Sequence, residues 1–260
     1  MIDCIQHPEL LGNALQHNFC TRFGGVSSGV FESLNCGYSS DDDPFMVTEN
    51  RRRVAFEFGL SVEKLCTASQ VHGTSVIIVK KAWSYDQAPI ADALVTNMQD
   101  IILGVLTADC APILLADLKN YVIGVVHAGW RGALGGVIAS GIDAMLTLGA
   151  CKSSIKAVIG PCIGPDSYEV GQDFPQPFIK DNNASEKFFR PASRQNHYLF
   201  DLPGYVNFRL KSEGISDVYT IQRDTYIEES AFFSYRRNMQ RGEHRYGRLV
   251  SAISLRIGAG

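Results

Sequence analysis

Three side chains able to bind soft or borderline metal ions stand beside apolar runs that read as strands. They are His72 in ASQVHGTSV, Cys110 in GVLTADCAPILL and His127 in VVHAGWRG. Strand ends are where a rigid scaffold presents reactive groups. Imidazole nitrogen and thiolate sulfur both suit zinc, and three protein ligands leave a fourth tetrahedral position for water, as in catalytic sites. Zinc lowers the pKa of such a water from about 15.7 towards about 7, which makes hydroxide available at neutral pH. Spacing alone does not select this reading. The intervals from 72 to 110 and from 110 to 127 (38 and 17 residues) match no local zinc motif. A buried cysteine with two core histidines bonded to backbone fits the same positions.

Other polar residues gather near this trio. Arg131 follows His127 by one helical turn, beside Gly129 and Gly132, and its planar fork suits phosphate or a substrate oxygen as well as a structural carboxylate. Arg22, ahead of Gly24-Gly25, is a second anion-binding candidate. Gln70 shares a face with His72 if the strand persists that far, and is a candidate substrate contact. Asp109 faces away from Cys110 in an extended segment, which favours a structural acceptor. If the chain turns there, it becomes an acid/base group or substrate contact. Cys162, in GPCIG, reads as a small buried residue rather than a fourth ligand. Cysteines 4, 20, 36, 66 and 151 read as core or surface thiols, and His7, His17, His197 and His244 as solvated. In FFSYRRN, Phe232, Phe233 and Tyr235 pack in a core or line a purine-stacking pocket.

The elements that must position these groups follow from apolar patterning. A helix is expected from Pro44 to Phe58, ended by Gly59. Strands are expected at Leu65–Val71, Val76–Lys80, Ala93–Thr96, Ile101–Thr107, Ile113–Ala116, Val122–Val126, Ile155–Ile159, Val218–Ile221 and Leu249–Leu255. The run from Ala133 to Leu148 reads as one helix on the sheet, and Asp201-Leu202-Pro203 opens another. Glycine clusters in the first forty residues read as hairpins or loops. No repeat or Pro/Ser-rich linker interrupts the chain. A single α/β (α+β) domain over residues 1–260, with a mixed sheet layered by helices, is the expectation.

Composition narrows the function classes. With 45% hydrophobic and 20% charged residues over 260 positions, the chain can build a full core. A net charge of -3 gives no electrostatic case for nucleic acid or an anionic membrane. The N-terminus lacks a signal peptide's basic and apolar regions, and no run is long enough for a membrane span. Seven scattered cysteines, an odd number, suit reduced thiols in the cytoplasm. Nothing in the sequence speaks to oligomeric state.

Seven motifs occur in order: TRFGGVSSGVFESLN, QVHG, ADALVT, TADCAPILLAD, HAGWRG, IGPCIG with SYEVG, and FFSYRR. From about Thr21 to Leu255 the chain resembles the YfiH-like family, the laccase-domain proteins once named polyphenol oxidases. The resemblance implies a mixed sheet between helical layers, similar to a cysteine-hydrolase group. It also implies zinc on His72, Cys110 and His127. Purine nucleoside and phosphate substrates are implied, with phosphorolysis of adenosine, inosine, guanosine and S-methyl-5'-thioadenosine and deamination of adenosine. One departure is Asp224-Thr225, where the family often has Cys-Thr.

Competing chemistries divide on residues. Zinc deaminases use a glutamate proton shuttle in a characteristic motif, which is missing here. Phosphorolysis requires phosphate held at the anomeric carbon, for which arginine is suited. A multicopper laccase needs more histidines than the six present. A blue-copper site wants an axial methionine, and the nearest to any ligand is Met98. Copper is therefore expected only as an adventitious occupant. A Cys-His or zinc amide hydrolase acting on peptidoglycan precursors is the remaining enzymatic alternative.

Overall fold

Successive residues of the central strands are buried on both faces, so each face must be covered, and that requirement sets the layering. The computed structural model describes residues 1–12 and 14–256. In chain order its strands and helices are β1 (Cys4–Ile5), β2 (Leu15–Cys20), α1 (Pro44–Glu57), β3 (Leu65–Cys66), β4 (Val76–Ile78), β5 (Ala93–Thr96), β6 (Ile102–Thr107), β7 (Ala111–Asp117), β8 (Val122–Ala128), α2 (Trp130–Gly135), α3 (Val137–Thr147), β9 (Lys156–Ile159), β10 (Glu169–Gly171), α4 (Gln176–Asp181), β11 (Phe189–Pro191), β12 (His197–Phe200), α5 (Leu202–Ser212), β13 (Asp217–Thr220), α6 (Tyr235–Gln240) and β14 (Leu249–Leu255).

Two large mixed sheets run β1-β2-β14-β6-β3 and β13-β9-β7-β8-β5-β4, and a small one runs β10-β12-β11. Leu103 and Val105 of β6 and Ile253 of β14 pack with Leu114 of β7 and Ile123 and Val125 of β8, so the two large sheets lie face to face. The alternate residues of β8, Val122 and Val126, pack outward with Val137, Ile138 and Ile142 of α3 and with Tyr205 and Val206 of α5. Ile102, Val250 and Ala252 pack on the far side with Val54 and Ala55 of α1. The order is helix, sheet, sheet, helix. Each fully buried Val, Leu or Ile stabilises this stack by about 1.5–3 kcal/mol.

The expected helix at Pro44 is present, with Asp43 accepting from the Phe45 N–H at its N-cap. Asp201 likewise caps α5 through Gly204 N–H. The strands at Ala93–Thr96 and Leu249–Leu255 fall where expected. Three expectations need correction. The mixed sheet is two facing sheets and a small third, because apolar runs reveal strands but not which edges pair. The helix from Ala133 is broken by Gly136, whose φ of 103° is left-handed, so α2 and α3 are separate. The strand expected through Val71 stops at Cys66.

His17 is also corrected: it is fully buried in β2 and its Nε2 accepts from the His7 N–H at 2.8 Å. The polar look of Gln16-His17-Asn18 hid a central strand. No helix among the described residues is long and apolar enough to cross a membrane.

Candidate metal centre and cleft

The three candidate ligands reach one point from three kinds of backbone. His72 is not at a strand end but in the bend between β3 and β4, at a left-handed φ of 59°. Cys110 closes the three-residue bend that carries the chain from β6 in one sheet to β7 in the other, where Asp109 has φ 87°. His127 lies within β8, opposite Pro112 of β7. The alternation that points Ile123 and Val125 between the sheets sends His127 the same way.

Cys110 Sγ is 3.6 Å from His72 Nε2. One ligand atom from each of His72, Cys110 and His127 lies within 4.8 Å of the others. A tetrahedral zinc with ordinary Zn–S and Zn–N bonds would hold sulfur and nitrogen about 3.6 Å apart. The donor set suits the ion, and the Cys110–His72 separation matches it. Gly129, just past β8, is required here. A Cβ there would stand 2.6 Å from His72 Cδ2 and 3.0 Å from Cys110 Sγ.

Electrostatics prepare the thiol for a cation. Burial works to raise the Cys110 pKa, but His127 and His72 beside it prevail and bring it down to about 6. Burial also works to lower that of His127. The Cys110 thiolate and the Asp92 carboxylate, 2.8 Å from Nδ1, outweigh it and raise the pKa to about 9. The metal-free pair is thus a thiolate facing an imidazolium. A metal would replace that proton.

The trio opens into a cleft of about 500 Å³. Tyr38, Tyr85, Trp130, Tyr168, Tyr235 and Tyr246 supply its aromatic walls. Arg131 lines it too, exposed and stacked on Trp130 at 4.6 Å, with no carboxylate partner among the described residues. Arg236 and Arg248 also line it. Arg236 donates to the Glu169 carbonyl at 2.6 Å, and Arg248 to Ser39 Oγ.

The remaining sequence candidates separate clearly. Gln70 lines the cleft, but both ends of its amide pair with Leu106: Nε2 donates to the carbonyl and Oε1 accepts the N–H, each at 2.8 Å. Asp109 also lines the cleft, and the chain does turn there. Its carboxylate accepts from Thr225 Oγ1, Ser234 Oγ and the Arg236 N–H. Burial raises its pKa above the usual carboxylate range against the pull of those donors.

Arg22 is a correction. It lies outside the cleft lining, donates to the carbonyls of Glu32 and Glu229, and sits over the Phe233 ring at 4.5 Å. Cys162 is 3% exposed and is not in the ligand cluster, as expected of a packing residue. Phe232 and Phe233 are core, whereas Tyr235 faces the cleft. Asp224 accepts from Ser167 Oγ at 2.5 Å and from the Tyr226 N–H at 2.9 Å, while its neighbour Thr225 holds Asp109.

Sequence reasoning missed Asp92, Tyr168, Arg236 and Arg248. Asp92 stood unremarked inside the ADALVT motif, an acidic residue directly before a fully buried strand.

Residues 16–256 match the family described as multi-copper polyphenol oxidoreductase laccase. The chain is 36% identical to a Deinococcus radiodurans protein named purine nucleoside phosphorylase, over 86% of this chain and 85% of that one. It is 34% identical to the Escherichia coli purine nucleoside phosphorylase YfiH, over 85% and 88%. A crystal structure of a Neisseria meningitidis protein of the DUF152 group superposes with a TM-score of 0.86 at 33% identity, covering 98% of both chains. That of Bacillus licheniformis YfiH superposes with a TM-score of 0.86 at 30% identity, covering 93% of both.

Proposed function

The chain belongs to the multi-copper polyphenol oxidoreductase laccase family, the YfiH group, and from that premise we propose that it is a zinc-dependent purine nucleoside phosphorylase. The observation that carries this reading is an arginine fork, Arg131, with no carboxylate partner among the described residues, in the same aromatic cleft as the His72–Cys110–His127 cluster. The substrates proposed are adenosine, inosine, guanosine and S-methyl-5'-thioadenosine, each with phosphate. Residues 1–260 act as one catalytic domain in the cytoplasm, a placement that suits seven unpaired thiols.

His72, Cys110 and His127 would hold a zinc ion, which when bound would supply positive charge as a Lewis acid. Arg131 holds phosphate by paired, charge-assisted hydrogen bonds. The tyrosine walls take the flat purine by stacking. In the reaction the C1'–N9 bond breaks, an oxygen of hydrogenphosphate bonds to C1', and the purine leaves with a proton from an acid that regains one from the hydrogenphosphate. Asp109, the one carboxyl group on the cleft wall among the described residues, stays protonated to a higher pH than an ordinary carboxylate and is the proposed source of that proton.

Deamination of adenosine is the second activity proposed for the same cleft. It too needs a proton carrier, and the cleft wall offers no glutamate among the described residues. Asp109 is proposed to serve both reactions.

Product analysis by mass spectrometry, with each nucleoside in the presence and absence of phosphate, tests this. Ribose 1-phosphate formed only with phosphate is the expected result. Inosine from adenosine without phosphate establishes the deaminase. Cleavage of a muropeptide amide alone, with no nucleoside turned over, overturns the reading.

A further inference from the structure

The His72 bend presents a problem that the three ligands do not solve. A left-handed φ of 59° is unfavourable for a residue with a Cβ, and the bend that carries it is exposed. Something must fix it before it can present a ligand. Three consecutive backbone N–H groups of this bend, from Val71, His72 and Gly73, converge on the Asp92 carboxylate at 3.2, 2.9 and 2.7 Å. Successive N–H groups around a left-handed residue form an anion nest, and here a side chain of the same molecule fills it.

The same carboxylate has a fourth partner. Asp92 Oδ1 is 2.8 Å from His127 Nδ1. Its own backbone is fixed as well: its carbonyl accepts the His127 N–H at 2.7 Å, and its N–H donates to Ser75 at 3.0 Å. Asp92 is 1% exposed, so water does not compete for these donors. A ligating histidine whose other nitrogen donates to a carboxylate is held in one tautomer and orientation.

We propose that Asp92 is the positioning residue of the metal centre, one carboxylate that both aims the His127 imidazole and holds the His72 bend. The proposal rests on the metal reading above. Oδ1 serves His72 N–H and His127, and Oδ2 serves Val71 and Gly73, so two of the three metal ligands are set by a single group. His127 is left to ligate through Nε2. An amide cannot replace this carboxylate. In Asp92→Asn the NH2 must face either the backbone donors or the His127 Nδ1–H, and one arm is lost.

Cobalt titration of the metal-stripped protein tests the assignment, since tetrahedral thiolate-bound cobalt has visible and near-ultraviolet bands independent of turnover. In Asp92→Asn the affinity should fall 10–100-fold with an altered band envelope. Asp117→Asn is the control. Asp117 is also fully buried and braces a turn through Lys119, Asn120 and Cys151, but it bonds none of His72, Cys110 and His127. Its cobalt spectrum should match the parent's. Equal affinity and spectra in the parent and Asp92→Asn overturn the role of Asp92 alone. A parent that binds no cobalt overturns the metal reading and this proposal with it.

If Asp92→Asn does not fold, nitrogen-15 spectra of the zinc-loaded parent decide. A protonated His127 Nδ1 with an unprotonated, ligating Nε2 supports the proposal. Ligation through Nδ1 overturns it.

Discussion

At the residue scale the division between charge and geometry is testable at Arg131. Lysine keeps the charge but cannot make the paired contact. Arg131→Lys should raise the Michaelis constant for phosphate moderately and Arg131→Ala strongly. Losing a charge-assisted hydrogen bond costs roughly 1.5–3 kcal/mol, or about 10- to 150-fold. Bound zinc, measured by elemental analysis, should not change in either variant, and any deamination should be spared because it uses no phosphate. Equal loss of both activities together with a falling unfolding temperature would make Arg131 a structural residue.

The ligand trio was legible because cysteine and histidine are conspicuous beside apolar runs. Asp92 was not, because its meaning comes from a bend 20 residues away in sequence. Arg22 misled for the same reason: a guanidinium beside two glycines looks available until the carbonyls of Glu32 and Glu229 are seen to occupy it.

At the element scale the junction of β8 and α2 is a tight passage beside the candidate metal site. Gly129 has φ -68° and ψ 161°, a conformation alanine adopts without strain. Its added Cβ would nevertheless press on His72 and Cys110. Gly129→Ala should therefore fold normally and bind zinc at least roughly tenfold more weakly, the size expected when a ligand is displaced. A chelator-competition titration alongside the unfolding midpoint of the metal-free protein separates the two effects. Unchanged zinc affinity would mean that the ring and thiol simply move aside.

Periodicity located most strands and the Pro44 helix, since burial on one or both faces leaves a mark in the sequence. It could not locate the β6–β7 crossover, where three residues pass the chain from one sheet to the next. Nor did it reveal the break at Gly136, because the apolar pattern continues across it.

At the scale of the whole molecule, stability should depend on a histidine remote from the cleft. Burial holds the His17 pKa down at about 4, below its ordinary 6.5. Between these values the unfolded chain binds a proton that the folded chain refuses. The contribution of His17 is therefore complete above pH 6.5 and is lost as pH falls towards 4. At 1.36 kcal/mol per pH unit, the loss is about 3 kcal/mol. In His17→Gln the acid limb of a denaturation profile should flatten over that interval. An unchanged slope would show that His17 titrates alike in both states.

The last described strand, β14, lies in the interior of its sheet, paired antiparallel with β2 on one edge and β6 on the other. During synthesis β14 leaves the ribosome after the other described strands. Until then β1–β2 and β6–β3 are two separate ribbons whose facing edges are open. A chain stopped after Gly247 holds His72, Cys110 and His127 yet has a slot one strand wide through its middle. A peptide carrying the sequence of β14 has the shape, register and apolar faces to fill that slot. Adding that peptide to the shortened chain should therefore restore zinc binding, and a zinc titration that shows no recovery would mean that the two ribbons do not hold the slot open on their own.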